Sequence, residues 1–155
     1  MAQISKEKLK KVKEIELAIS KNLFAICALV TVLAMAMVIV EFFTRGIFPP
    51  PGMNLFYIGV LFIYSAHKEM LRWLEEKEIE RQGEWFVYSW IGLTVILYII
   101  NFVTRGYYLK TPEGASAEAL RDIAITTLEV CVIFIITRLS KVIKIILEKN
   151  NKSKF

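Results

Sequence analysis

The sequence predicts an all-α polytopic membrane protein, four transmembrane helices arranged as two helical hairpins with both termini in the cytoplasm. Three observations carry this. More than half of the 155 residues are apolar and the mean hydropathy is clearly positive. The apolar residues gather in four blocks, and Lys and Arg gather around alternate ends of those blocks.

The first block, residues 23–40, reads LFAICALVTVLAMAMVIV and holds no charge over eighteen positions. A helix of that length crosses a hydrocarbon core of ~30 Å. Twenty-two residues precede it and no small-residue cleavage site follows, so it does not read as a signal peptide. The second block, residues 53–66, has only fourteen residues and reaches spanning length by extension back through IFPPPG. Residues 85–104 form a third uncharged block, and residues 123–137 a fourth, broken only by Glu129. A soluble four-helix bundle would need polar outward faces, whereas these blocks are apolar nearly all round. The chain thus divides into a basic amphipathic helix (1–22), a first transmembrane hairpin (23–66), a charged helix or linker (67–84), a second hairpin (85–138) and a basic tail (139–155).

Sixteen of the twenty basic residues fall in 1–22, 67–84 and 138–155; Arg45, Arg105, Lys110 and Arg121 are the other four. This positive-inside bias places both termini and the middle loop in the cytoplasm, in a prokaryotic cell membrane. The basic balance then reflects topology and the anionic lipids of the inner leaflet, and gives no reason to expect nucleic acid. The three cytoplasmic segments carry +3, −2 and +5, so the acidic middle helix is expected to pack between the basic terminal ones. Gly83 is expected to stop the middle helix.

A shift of sixty positions brings FFTRGIF (42–48) onto FVTRGYY (102–108), each followed by a Pro/Gly signal, PPPG or TPEG. The shared plan is a hairpin used twice in one direction, a candidate parallel internal repeat with a pseudo-twofold axis along the membrane normal. At each stop Arg suits the helix dipole, Gly46 or Gly106 suits a left-handed cap, and aromatic residues suit an interfacial anchor. Glu41 and Arg45 are an i,i+4 pair, as are Asn101 and Arg105. Arg45, Arg105, Glu41 and Asp122 are the candidate outer-face charges, and Arg45 and Arg105 together the candidate anion site.

Glu129 is the candidate intramembrane residue. It lies about seven residues inside the boundary marked by Asp122, roughly 10 Å deep at ~1.5 Å per residue. An acid there costs on the order of 2–3 kcal/mol and is a functional candidate by default. Asp122, Thr126 and Glu129 share a helical face, and Thr94, Tyr98, Asn101 and Arg105 form a similar stripe on the third span. Tyr98 falls at the depth of Glu129, so a Tyr98 or Asn101 hydrogen bond to the carboxyl group is expected. Such bonds commonly hold membrane bundles together at ~0.6 kcal/mol each.

Cys27 and Cys131 fall inside spans, without zinc or redox spacing, and read as small buried residues. His67, the single histidine, reads as an anchor at the inner end of the second span. No phosphate loop, metal set, nucleophile triad or cofactor motif is visible, so neither cofactor, metal nor enzymatic activity is expected. Small residues such as Gly59 and Gly92 allow close helix approach. The leading expectation is a non-enzymatic membrane component that self-associates or joins a larger complex. The alternative is a small oligomeric transporter or channel with Glu129, Tyr98, Asn101 and Arg105 along its path. The two part on whether Glu129 faces a wet cavity or an apolar partner.

Overall fold

A computed structural model describes residues 2–50, 52–73 and 83–152. Among these the chain is all-helical: α1 (Ala2–Phe43), α2 (Met53–Trp73), α3 (Gly83–Val103) and α4 (Ala119–Lys152), with a short 3₁₀ turn at Tyr107–Leu109. Two segments, Ala18–Phe43 and Gly83–Val103, are long and apolar enough to cross a membrane. The apolar stretch of α2 stops at His67, and that of α4 begins after Asp122 and carries Glu129 within it.

The expected separate helix at 1–22 is not separate. α1 runs unbroken for 42 residues, ~63 Å at 1.5 Å per residue. No Pro or Gly interrupts residues 2–43, so nothing in the sequence breaks the helix between its basic part and its apolar part. Gly83, expected as a stop, instead opens α3. The far part of the charged middle segment, residues 74–82, lies outside the described residues. Its near part is docked on both sides. Trp73 Nε1 donates to Ser140 Oγ at 3.0 Å, Arg72 donates to the Thr137 carbonyl at 3.2 Å, and Lys144 donates to the Arg72 carbonyl at the end of α2. On the α1 side, Glu16 and His67 face each other at 4.0 Å. Residues 67–73 do sit between the terminal helices, but the bonds to α4 go to carbonyls and a hydroxyl.

Packing pairs α1 with α2, α2 with α4 and α4 with α3, while α1 touches α3 and α4 equally lightly and α2 barely meets α3. The order around the bundle is therefore α1, α2, α4, α3. A twofold axis would set equivalent helices at opposite corners, whereas here α2 lies beside α4 and α1 beside α3. The expected pseudo-twofold axis is absent: the two hairpins lie side by side.

The core is mostly apolar and contains a buried hydrogen-bonded aromatic pair. Trp90 Nε1 donates to the Tyr57 hydroxyl at 2.7 Å, and both side chains are fully buried. Phe24, Tyr64 and Phe86 pack against one another next to this pair, in tilted and edge-to-face contacts. Cys27 is buried with a free thiol and Cys131 is half-buried, also free.

The two Thr-Arg-Gly stops share one backbone geometry. In the first, Gly46 N–H donates to Glu41 O at 2.9 Å and Arg45 N–H to Phe42 O at 3.1 Å; in the second, Gly106 N–H donates to Asn101 O at 2.8 Å and Arg105 N–H to Phe102 O at 3.0 Å. This nested pair is the Schellman arrangement, which satisfies the last helical carbonyls. Thr44 and Thr104 each send their hydroxyl back to the carbonyl four residues earlier, at 2.7 and 2.8 Å. The left-handed cap residue is the arginine, φ 58° at Arg45 and 54° at Arg105, with the glycine left-handed one place later. Sequence reasoning assigned that cap to the glycine.

Candidate functional site

The two stops diverge in their side chains. Arg45 Nε donates to Lys110 O at 2.6 Å and Nη2 to Thr111 O at 2.9 Å, and its guanidinium lies 4.5 Å from the Tyr107 ring centroid. The receiving loop is shaped by Thr-Pro-Glu-Gly: Gly114 N–H closes a turn onto Thr111 O, and Gly114 takes φ 88°. Tyr108 stacks on Phe42 at 4.5 Å and packs edge-on against Phe43. The first hairpin's stop is thus bolted to the second hairpin's loop. Arg105 is exposed and takes no such part. No contact joins Arg45 to Arg105 in a shared anion site, and two of the Arg45 donors are taken by backbone carbonyls. The expected Glu41–Arg45 pair is absent too. Glu41 is buried, with Asp122 and Glu118 at the start of α4 close enough to act on it.

Glu129 is exposed and faces away from the third helix. It lies in an apolar groove between α2 and α4 with Leu55, Ile58, Gly59, Phe62, Leu128 and Val132; the open volume there is about 560 Å³. Toward the Thr-Arg-Gly end this groove continues past Asn54, Asp122 and Thr126. Thr126 is buried and sends its hydroxyl to its own helix, at Asp122 O, 2.9 Å away. Asn54 Oδ1 is buried without a hydrogen-bond partner. A Cβ placed on Gly59 would meet nothing within 4 Å, so no helix of the same copy uses that gap.

The third-helix stripe meets the other side of α4. Thr94 and Thr127 share a hydrogen bond at 2.7 Å, and Tyr98 OH points to Leu120 O at 3.5 Å. Asn101 Oδ1 is buried without a partner. Thr127 and Glu129 are two residues apart, hence roughly 200° apart around a helix of ~3.6 residues per turn. Equal depth therefore does not bring Tyr98 to Glu129. Asp122, Thr126 and Glu129 line the α2–α4 groove, and Thr94 and Tyr98 hold the α3–α4 seam. Sequence reasoning missed Thr127, Asn54 and the Tyr57–Trp90 pair. Thr127 was legible as a hydroxyl beside Thr126; choosing between them required the helix rotation.

Among the described residues no group of three or more His, Cys, Asp or Glu is placed to hold a metal ion. Comparison of the chain with protein-family models, curated proteins and solved structures finds no match.

Proposed function

We propose that the chain is a small non-enzymatic membrane component whose four helices all cross the bilayer and which pairs with a second copy through the α2–α4 groove. Support for four crossings comes from the outward faces. α2 exposes Leu55, Phe56, Phe62 and Ile63, and α4 exposes Leu128, Val132, Ile135 and Ile136. Such faces suit lipid and are unsuited to water. The two longer helices, α1 and α4, then project beyond the bilayer at the basic end, where the positive-inside bias places the cytoplasm.

The observation that carries the pairing is the direction of Glu129. A carboxyl group at membrane depth on an apolar outer surface is costly when lipid covers it. A protein partner with a hydrogen-bond donor lowers that cost. The groove supplies both halves of such a contact, an acceptor in the Glu129 carboxyl group and an N–H donor in the Asn54 amide. A twofold pairing is self-complementary: the Asn54 amide of each copy donates toward the Glu129 carboxyl of the other. Gly59 leaves room for the close backbone approach that membrane helices favour. The transport reading has less support, since Glu129 lines the α2–α4 groove while Tyr98 of α3 meets α4 at Leu120, away from that groove.

Native mass spectrometry from nanodiscs tests the pairing. Dimers are expected, persisting in Glu129→Gln and weakened in Glu129→Leu. A strictly monomeric chain, or a Glu129→Leu variant that dimerises as well as the unchanged chain, overturns it.

A further inference from the structure

Volume and charge in the α2–α4 groove together describe a small-molecule site. Its open space of about 560 Å³ falls within the ~300–1,000 Å³ of such sites, which set a few placed polar groups in an apolar lining. Among the described residues lining it, Glu129 alone carries a charge. Glu129 takes part in none of the described ion pairs. Asp122, where the groove continues toward the Thr-Arg-Gly end, is answered by Arg121 at 3.4 Å. The groove therefore presents one uncompensated acid in apolar surroundings. A carboxylate so placed is costly until a positive charge meets it. An amide such as Asn54 gives it a hydrogen bond and leaves the charge standing.

We infer that the groove binds an organic cation with an apolar body. Glu129 meets the positive charge, and Leu55, Ile58, Leu128 and Val132 take the hydrocarbon. Phe62 adds an aromatic ring, a further favourable neighbour for a cation. A hard metal ion is a poorer match: Ca²⁺, for one, takes about six to eight oxygen ligands, and this lining is mainly carbon. Binding needs only one copy, so the inference goes beyond the pairing and does not rest on it.

The test titrates the 155-residue chain, purified in an uncharged detergent, with three ions. Tetraphenylphosphonium and tetraphenylborate have like shapes and opposite charges, and tetramethylammonium has the positive charge with little apolar body. Native mass spectrometry counts the ions bound per chain, in single and paired copies alike. One tetraphenylphosphonium per chain is expected, bound about tenfold or more tighter than either other ion. Glu129→Gln loses that preference, whereas Glu113→Gln, on the exposed loop after α3, keeps it. Glu129→Lys turns the preference toward tetraphenylborate, a gain that misfolding would not produce. Gly59→Leu fills the groove at unchanged charge, where an added Cβ meets nothing within 4 Å, and weakens binding. Equal binding of the two tetraphenyl ions overturns the inference, as does a Glu129→Gln or Gly59→Leu variant that binds like the unchanged chain. A chain that never pairs yet keeps this pattern removes the pairing alone, and a paired chain without it removes the cation site alone.

Discussion

Replacing one arginine of each Thr-Arg-Gly stop by glycine isolates what the two copies share from what only one has. Arg45 and Arg105 have nearly the same backbone, φ 58° and 54°, inside the same nested hydrogen bonds. A left-handed conformation costs a non-glycine residue ~1–2 kcal/mol. Glycine returns roughly 0.4–1 kcal/mol of that through the entropy of the unfolded chain. Arg105→Gly should therefore be neutral or stabilising by up to ~1 kcal/mol. Arg45→Gly gains the same relief but loses two guanidinium–carbonyl bonds and the Tyr107 contact. Bonds to charged groups are worth ~1.5–3 kcal/mol when shielded. Arg45 is half-buried, so a discounted ~1 kcal/mol each is appropriate. The ring contact adds ~0.5–1 kcal/mol. The expected net loss is ~1.5–2.5 kcal/mol, a gap of ~2–3 kcal/mol between two chemically identical substitutions. SDS or thermal unfolding in micelles, followed by circular dichroism, measures both. Equal effects would refute the claim that Arg45, and not Arg105, ties its helix stop to the other hairpin.

Further outcomes follow from the core, the seam and the basic end. Tyr57→Phe removes the acceptor of a fully buried indole N–H and should cost about 1–2 kcal/mol in the same unfolding assay. Trp90→Phe added to it should cost much less than its separate effect, because the orphaned donor leaves with it. Thr94→Val should cost only ~0.6 kcal/mol, the usual scale of one interhelical bond. Burial, and then the charge of Arg72, hold the Lys68 pKa below its usual 10.5, with Glu69 opposing. The unfolded chain thus binds that proton more tightly, so its penalty is full below the folded pKa. Stability should rise with pH between the folded pKa and 10.5. Unfolding measured across alkaline pH should show that slope flattened in Lys68→Gln; an unchanged slope would remove Lys68 as its source.

Hydrophobic blocks and charge asymmetry made the helices legible, because a run such as residues 23–40 leaves a chain few alternatives to a helix. The stops were legible for the same reason, being local backbone chemistry. Two kinds of fact were hidden. One was azimuth: depth along a helix can be counted from a boundary, but which side of α4 meets α3 depends on packing that periodicity alone does not fix. Glu129 and Thr127 show the consequence, adjacent in depth yet on different surfaces. The other was hairpin placement. Repeated punctuation told of a repeated plan, and it could not tell that α2 would lie beside α4. That arrangement creates the groove at Glu129. The continuity of α1 was readable, since no breaker separates Ala2 from Phe43, but the change from charged to apolar composition drew the boundary too early.

The pairing surface can be tested most directly by cross-linking in native membranes. With Cys131 changed to Ala and Cys27 left buried, Leu128→Cys places a thiol beside Glu129 in the groove, and Ile99→Cys places one on the exposed face of α3. Oxidation is expected to give a disulfide-linked dimer from Leu128→Cys and little from Ile99→Cys. The reverse ranking, or equal yields, would contradict the account.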